Sequence, residues 1–528
     1  MNVLVLNLTR LGDLLQSQPA IAGLAAQGHR ISLACLENFS PAAALMQGLD
    51  EVLPIPGARM LSRLDNNWRQ ALAVHQETIA IARGAHPPEL VINLTPSQPA
   101  RLLAMSLKPA TVRGFALDEL GFNADSSVWA AFLQLASCSR GASPFNVVDI
   151  FRRIAGLTGS PDASGAFGLR GPSEAEKLAA RARILELCPQ AAQSKGLVAL
   201  QLGASEERRR WPVARFAEVA ARLSATGYTP VLVGTASEQP LSLRLKDLAR
   251  MPVADLLGAT DLPGLAATLA NCALLLTNDT GTMHLAAGLG VPSVSIFLAT
   301  AQPWDTGPYL PGGLCLEPSM DCHPCSFGQA CPRNEACRQN IDAGGVAELA
   351  LQLLQGETQA TADCPGARVW RTEIGVDGLM DLASLSGHEA EDRTQLIRVQ
   401  RRLYRRYLDG EALATTADLP VQLSAPVAQA LAAPLSEAAD LLFLLSRQGE
   451  LLARDPAQKA KGKFLATWQR VQSVLSAEER LSVLASLWIF ESERPGLDLP
   501  GILALAERFR DLLLTLKTQT ELAPCLQR

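Results

Sequence analysis

Aromatic residues make up only 5% of this 528-residue chain, and neither sign of charge predominates: 47 Lys and Arg stand against 52 Asp and Glu, for a formal net charge of -5. Few stacking rings argue against a sugar-binding β-sandwich or an RNA-reading sheet. The lack of a broad cationic surface argues against a chain whose main task is to hold nucleic acid or anionic lipid. The first fifteen residues have neither the basic start nor the small-residue cleavage site of a secretion signal, so a cytoplasmic protein is expected. From Thr280 to Trp304 there is no Lys, Arg, Asp or Glu, which is long enough to raise a membrane span. Gly281, Gly288, Gly290 and Pro292 punctuate that stretch and His284 lies inside it, a pattern that fits a helix followed by a buried strand.

What is present is apolar and periodic. Hydrophobic residues are 48% of a chain too long for one core, so two or three domains are expected. Val3–Leu6, Ile31–Cys35, Leu90–Asn93 and Thr111–Gly114 are continuous buried-strand runs. A helical pattern from Asp13 through Ala25 follows the first, with Gly28 as a stop. Leu197–Leu202, Thr229–Val233, Leu274–Thr277 and Ser293–Phe297 form a second set, and Trp211-Pro212 opens a helix between two of them. The Gly-, Ser- and Pro-rich stretch from Gly159 to Pro172 reads as the linker. The fold class is α/β: a Rossmann-like domain over 1–165, a second over 166–358, and an all-helical extension over 359–528.

Two stretches stand where strands end and helices or loops begin. Thr277-Asn278-Asp279-Thr280-Gly281-Thr282-Met283-His284 places small side chains and hydroxyls at a helix N-terminus, where free amides and the helix dipole bind phosphate. Asp279 can instead cap that helix, and His284 can reach the site or satisfy a core hydrogen bond. Gln201 to Pro212 carries Arg208, Arg209 and Arg210, guanidinium groups that match phosphate oxygens. Asp13 follows Gly12 in the first strand-to-helix loop, where a carboxylate can accept a proton from a sugar hydroxyl or cap a helix. No Asp-x-Asp pair occurs, so a sugar diphosphate would lean on arginine, backbone amides and the helix dipole rather than on Mg²⁺ or Mn²⁺.

Taken together, Arg10-Leu11-Gly12-Asp13 with Gln18-Pro19-Ala20, Gly203-Ala204-Ser205 leading to Arg210-Trp211-Pro212, Gly234 with Glu238, and Asn278-Asp279-Thr280-Gly281 with His284-Leu285-Ala286 resemble glycosyltransferase family 9, the lipopolysaccharide heptosyltransferase family. The resemblance covers about residues 1 to 355. It implies the GT-B arrangement of two facing Rossmann-like domains, and an inverting, metal-independent transfer of heptose from an ADP-activated donor to a lipid A-linked core acceptor. Contact with the inner membrane's cytoplasmic face and no nucleic-acid partner go with it. By that likeness Asp13 is the general base, and Thr9 and Arg10 meet the acceptor. Arg209, Asp279, Thr280, Gly281 and His284 contact the donor's sugar and phosphates, Glu238 the ribose, and Leu257 borders the adenine. Family members often have lysine two places before the Trp-Pro pair, where this chain has Arg209. A protein acceptor, or a nucleotide-sugar-binding module without turnover, are the alternatives.

Two features stand apart. Cys322, Cys325, Cys331 and Cys337 are four of 11 cysteines, spaced C-x2-C-x5-C-x5-C in a loop over 315–337 with His323 among them. The spacing is open between a structural zinc or iron site and four reduced thiols, and relatives of the family hold iron in similar segments. From Pro365 onward 20 Lys and Arg balance 21 Asp and Glu. Within that region, Arg393, Arg398, Arg401, Arg402, Arg405 and Arg406 form a row suited to anionic lipid or to pairing with Glu389, Glu391 and Asp409.

Overall fold

Strand runs with no charge to leave in water are stable only when both faces are covered, and such runs form the centres of the two sheets of this chain. The computed structural model describes residues 1–84, 86–138, 141–159, 168–357, 361–413, 423–454 and 458–521. These fall into two compact units, Met1–Ala116 with Phe145–Gly387, and Leu117–Pro144 with His388–Arg528. The domain edges expected at 165/166 and 358/359, and most of the expected linker, lie outside the described residues.

In the first unit, β1 (Asn2–Asn7), β2 (Arg30–Leu36), β3 (Glu51–Ile55), β4 (Leu90–Asn93) and β5 (Thr111–Gly114) make one all-parallel sheet in the order β3-β2-β1-β4-β5. Val3, at its centre, pairs with Ile31 on one side and Leu90 on the other. The chain order reverses between β1 and β4, and a switch point of this kind opens a crevice beyond the carboxyl ends of the strands. The loop after β1, which carries Asp13, opens there. The helix expected from Asp13 to Ala25 is two, Leu11–Gln16 and Gln18–Ala26, broken at Ser17, whose hydroxyl donates to Leu14 O at 2.6 Å.

The second sheet of this unit has eight strands. β6 (Leu197–Gln201), β7 (Thr229–Val233), β8 (Ala254–Asp255), β9 (Cys272–Asn278), β10 (Ser293–Ile296) and β11 (Leu314–Pro318) are parallel, and β12 (Ala367–Ile374) and β13 (Met380–Ser384) add antiparallel to β11. The order is β13-β12-β11-β10-β9-β6-β7-β8, so the switch lies between β6 and β9. The Gly203–Arg210 loop follows one of these strands and Asp279-Thr280-Gly281 the other. The uncharged stretch from Thr280 to Trp304 contains the helix Gly281–Gly288 and β10, both buried in this fold. Strands continue past Cys364, against the expected all-helical region from 359: β12 and β13 belong to the second sheet, and the unit ends at Gly387.

The second unit is helical. Helices Ala425–Arg454, Gln458–Ser476, Ser482–Ser492 and Leu499–Glu521 surround a core in which Leu431, Leu442, Val471, Trp488 and Phe509 are fully buried. Phe509 stacks edge-on against Tyr407 and obliquely against Trp488. The unit also takes residues from early in the chain, which corrects the expectation that 1–165 is a single domain. Trp129, in the helix Val128–Cys138, donates to Asp409 Oδ1 at 2.9 Å. Ala425–Arg454 is the one described helix long and apolar enough to cross a membrane, and here its Leu431, Leu435, Leu442 and Leu445 line the core. The arginine row lies on the helix Asp392–Leu408, and several of its members are held within the chain. Arg405 reaches Asp409 at 3.4 Å and Glu411 at 3.1 Å, Arg402 donates to Gln519 Oε1 at 2.7 Å, and Arg401 is buried.

Candidate active site

The loop after β1 is fixed by Asn7, whose Nδ2 donates to Asp13 O at 3.0 Å while its Oδ1 accepts from Thr9 N at 3.3 Å and from the Thr9 hydroxyl. Arg10 caps the helix Leu11–Gln16 with extended backbone. Asp13 sits in the first turn, half-buried. Burial pushes its carboxyl above the usual value of 3.8, against the Arg10 backbone, the Arg10 charge and the Thr9 hydroxyl; the charge of nearby Asp279 pushes the same way as burial. A raised carboxyl held at a crevice is a proton acceptor matched to a sugar hydroxyl.

Opposite it lies the N-terminus of the helix Gly281–Gly288. Thr280 is the residue before its first turn, in extended conformation and without a side-chain cap. The capping role open to Asp279 is therefore not taken. Asp279 instead makes a short contact with Arg209, and Arg209 also donates to Ser205 Oγ at 3.3 Å. Close approach between loop and helix depends on two glycines. A Cβ added at Gly12 would lie 2.9 Å from His284 Cδ2 and 3.6 Å from Gly281 Cα, and one added at Gly281 would lie 3.5 Å from Gly12 N.

His284 is thus packed against the residue before Asp13, and burial pushes its imidazole down to about 4, so it is neutral near pH 7. Its Nδ1 and Gln16 Nε2 are buried without a hydrogen-bond partner among the described residues. Both line a small cavity behind the helix that carries Asp13, a polar setting suited to ordered water.

Asn278, which the sequence marks only as part of a motif, staples the arginine loop in place. Its Nδ2 donates to Leu202 O and Gly203 O, each at 3.0 Å, and its Oδ1 accepts from Trp211 N at 2.9 Å. Glu238 lies on the turn after β7, where Oε2 accepts from Thr235 N at 2.8 Å, and so reaches the same crevice as the arginine loop. The Leu257 side chain belongs to the hydrophobic core, while its N donates to Asp255 Oδ1 at 3.1 Å and its O accepts from Gln239 Nε2 at 3.2 Å.

The four cysteines gather in one loop. The charges of Cys337, Cys322 and Cys331 all add to the burial that raises the Cys325 thiol, and Glu335 N donates to Cys331 Sγ at 3.3 Å. They are not drawn up as a ligand set, because among the described residues no three His, Cys, Asp or Glu side chains are grouped to hold a metal ion. His323 is turned away to Glu317, 3.2 Å from its Oε2 in the core.

Two sheets, each with a switch point, bring the Asp13 carboxylate to the N-terminus of the helix Gly281–Gly288, an arrangement of the α/β class. Residues 142–332 match the model of glycosyltransferase family 9 (heptosyltransferase), and the likeness read from the motifs is upheld there. Lipopolysaccharide heptosyltransferase 1 of Pseudomonas aeruginosa is 36% identical over 118 residues, 22% of this chain and 32% of the relative. Lipooligosaccharide heptosyltransferase 2 of Campylobacter jejuni is 28% identical over 170 residues, 30% of this chain and 52% of the relative. The chain spans about half or less of the length of these curated relatives. A glycosyl transferase family 9 structure from Veillonella parvula superposes with a TM-score of 0.57 at 20% identity, covering 67% of this chain and 98% of that one, which upholds the expected two-domain GT-B fold.

Proposed function

We propose that the chain is an inverting, metal-independent glycosyltransferase that moves a heptose from an ADP-activated donor to a lipid A-linked core acceptor at the cytoplasmic face of the inner membrane. The observation that carries this reading is Asp13: a carboxyl raised by burial and by the charge of nearby Asp279, on a helix whose Gly12 packs against Gly281 at the N-terminus of the helix Gly281–Gly288. Family and relatives support the sugar and acceptor class.

In the reaction, Asp13 takes the proton of an acceptor hydroxyl as its oxygen attacks the anomeric carbon. The bond from that carbon to the diphosphate breaks on the opposite face, and ADP leaves with the electron pair. Arg209 and the free amides at Gly281 and Thr282 meet the charge that grows on the leaving oxygen. For Arg209 to do so it must turn from Asp279 to the phosphates, which leaves Asp279 to accept from a sugar hydroxyl. The test is ADP release from ADP-heptose plus acceptor by wild type and Asp13→Asn. The expected loss is about a hundred- to ten-thousandfold, and equal release by both proteins removes Asp13 as the base.

A structural zinc or iron at the four-cysteine loop is a separate proposal, supported by the gathered thiols and not by a formed ligand set. Elemental analysis of anaerobically purified protein tests it. Content near one per chain supports it, and content below about 0.1 refutes it.

A further inference from the structure

We propose that Gln201 is a positioning residue that ties the ribose end of the donor site to its phosphate end. Its side-chain amide bridges the carboxylate of Glu238 and the hydroxyl of Thr282, so one buried group sets the distance between the two places where a nucleoside diphosphate is gripped. This rests on the nucleotide-sugar reading above.

Gln201 is the last residue of β6, 5% exposed, after a run of Leu and Val. An amide at that depth is costly unless both of its ends are satisfied. Both are satisfied here. Nε2 donates to Glu238 Oε1 at 3.2 Å and Oε2 at 3.1 Å, and Oε1 accepts from Thr282 Oγ1 at 3.1 Å. Thr282 lies in the first turn of the helix whose amides face the diphosphate. Glu238 lies on the turn after β7. The end of one strand therefore fixes two elements that the chain reaches far apart in sequence.

Two glycines make room for the carboxylate. A Cβ at Gly203 would fall 1.3 Å from Glu238 Oε1, and one at Gly234, where φ is +150°, would fall 2.2 Å from Oε2. The carboxylate is pressed against bare backbone on these sides, and Oε2 is taken up by Thr235 N and Gln201. A carboxylate has about four lone-pair sites, so acceptor capacity remains on Oε1, the oxygen that a ribose hydroxyl can use. Without Gln201 the carboxylate keeps its contact to Thr235 but loses the bond that sets its tilt toward the helix.

The test is calorimetric titration of the full chain with ADP and with an ADP analogue lacking both hydroxyls of the ribose diol. Wild type, Gln201→Leu, Glu238→Ala and the double variant are compared. Wild type is expected to prefer ADP over the analogue by about tenfold or more, the size of a hydrogen bond to a charged group. Gln201→Leu is expected to weaken ADP by about tenfold while changing the analogue less than about twofold, and the double variant is expected to be no weaker than Glu238→Ala. Equal losses for both ligands, or losses that add in the double variant, overturn the relay and leave the nucleotide site standing. A wild-type chain that binds neither ligand refutes the nucleotide site itself, and the relay with it. Should Gln201→Leu fail to fold, Thr282→Val removes only the hydroxyl that Gln201 accepts. It carries the same comparison: a loss confined to ADP supports the relay and an equal loss for both ligands overturns it.

Discussion

Gly12→Ala adds a single methyl group beside the proposed base, and the structure fixes what it meets. The new Cβ would lie 2.9 Å from His284 Cδ2, whereas ordinary contact begins near 3.4 Å, so about 0.5 Å must be found. The obstacle is a rigid ring between buried Met283 and Leu285, not the tip of a flexible chain. The small cavity on the far side of His284 gives it some room to retreat. That places the cost at the low end for overpacking, about 1 to 2 kcal/mol, felt as displacement of Asp13 or His284. If all of it appears in the transition state, kcat/KM for ADP release falls about five- to thirtyfold. Gly12 is in the first turn of a helix with no positive φ, so the backbone itself tolerates alanine, and without the clash this change would stabilise by up to about 1 kcal/mol. Steady-state kinetics and a thermal melt on the same protein separate the two effects. A variant with unchanged or higher kcat/KM and a raised Tm would refute the argument that loop and helix are held at this distance.

Two further predictions follow from charge. Arg209→Met is expected to weaken ADP binding by about ten- to a hundredfold, since a hydrogen bond to a charged group is worth about 1.5 to 3 kcal/mol; titration with ADP that shows no change would mean Arg209 stays with Asp279 and never meets the phosphates. The imidazole of His284 is held near 4 in the fold but takes a proton near 6.5 when unfolded. The stability it confers is therefore complete above pH 6.5 and drains as pH falls toward 4, by about 3 kcal/mol in all. The difference in denaturation midpoint between wild type and His284→Leu is expected to shrink over that window, and a difference constant with pH would contradict a buried neutral ring.

Much of the fold was legible because parallel strands covered on both faces must be apolar throughout, as Val3–Leu6 and Leu274–Thr277 are. Three of the strands that escaped lack that constraint. β3 contains Pro54, β8 has two residues, and β12 sets Arg368 and Arg371 on either side of Val369 and Trp370, as an antiparallel strand near a sheet edge can. Asp13 and Asp279 were legible because strand-end loops are where such folds place chemistry. Gln201 was marked only as the start of the arginine-loop motif, since a polar residue closing an apolar strand carries no mark of what it will bridge. The arginine row was legible in part: Arg405 meets Asp409 as the pattern suggests, while the partners Glu411 and Gln519 come from outside the repeat.

The edges of both sheets bear on how copies of this chain can associate. The outermost strands are β3 and β5 in one sheet and β8 and β13 in the other, none longer than five residues. An edge offers unpaired amides and carbonyls to any strand of another chain, and short or proline-bearing edges offer few. The antiparallel pair β12–β13 covers β11 and ends the larger sheet on five residues that include Asp381. Strand-to-strand growth is thereby blunted at all four margins, which favours side-chain surfaces over a backbone ladder continued from one copy into the next.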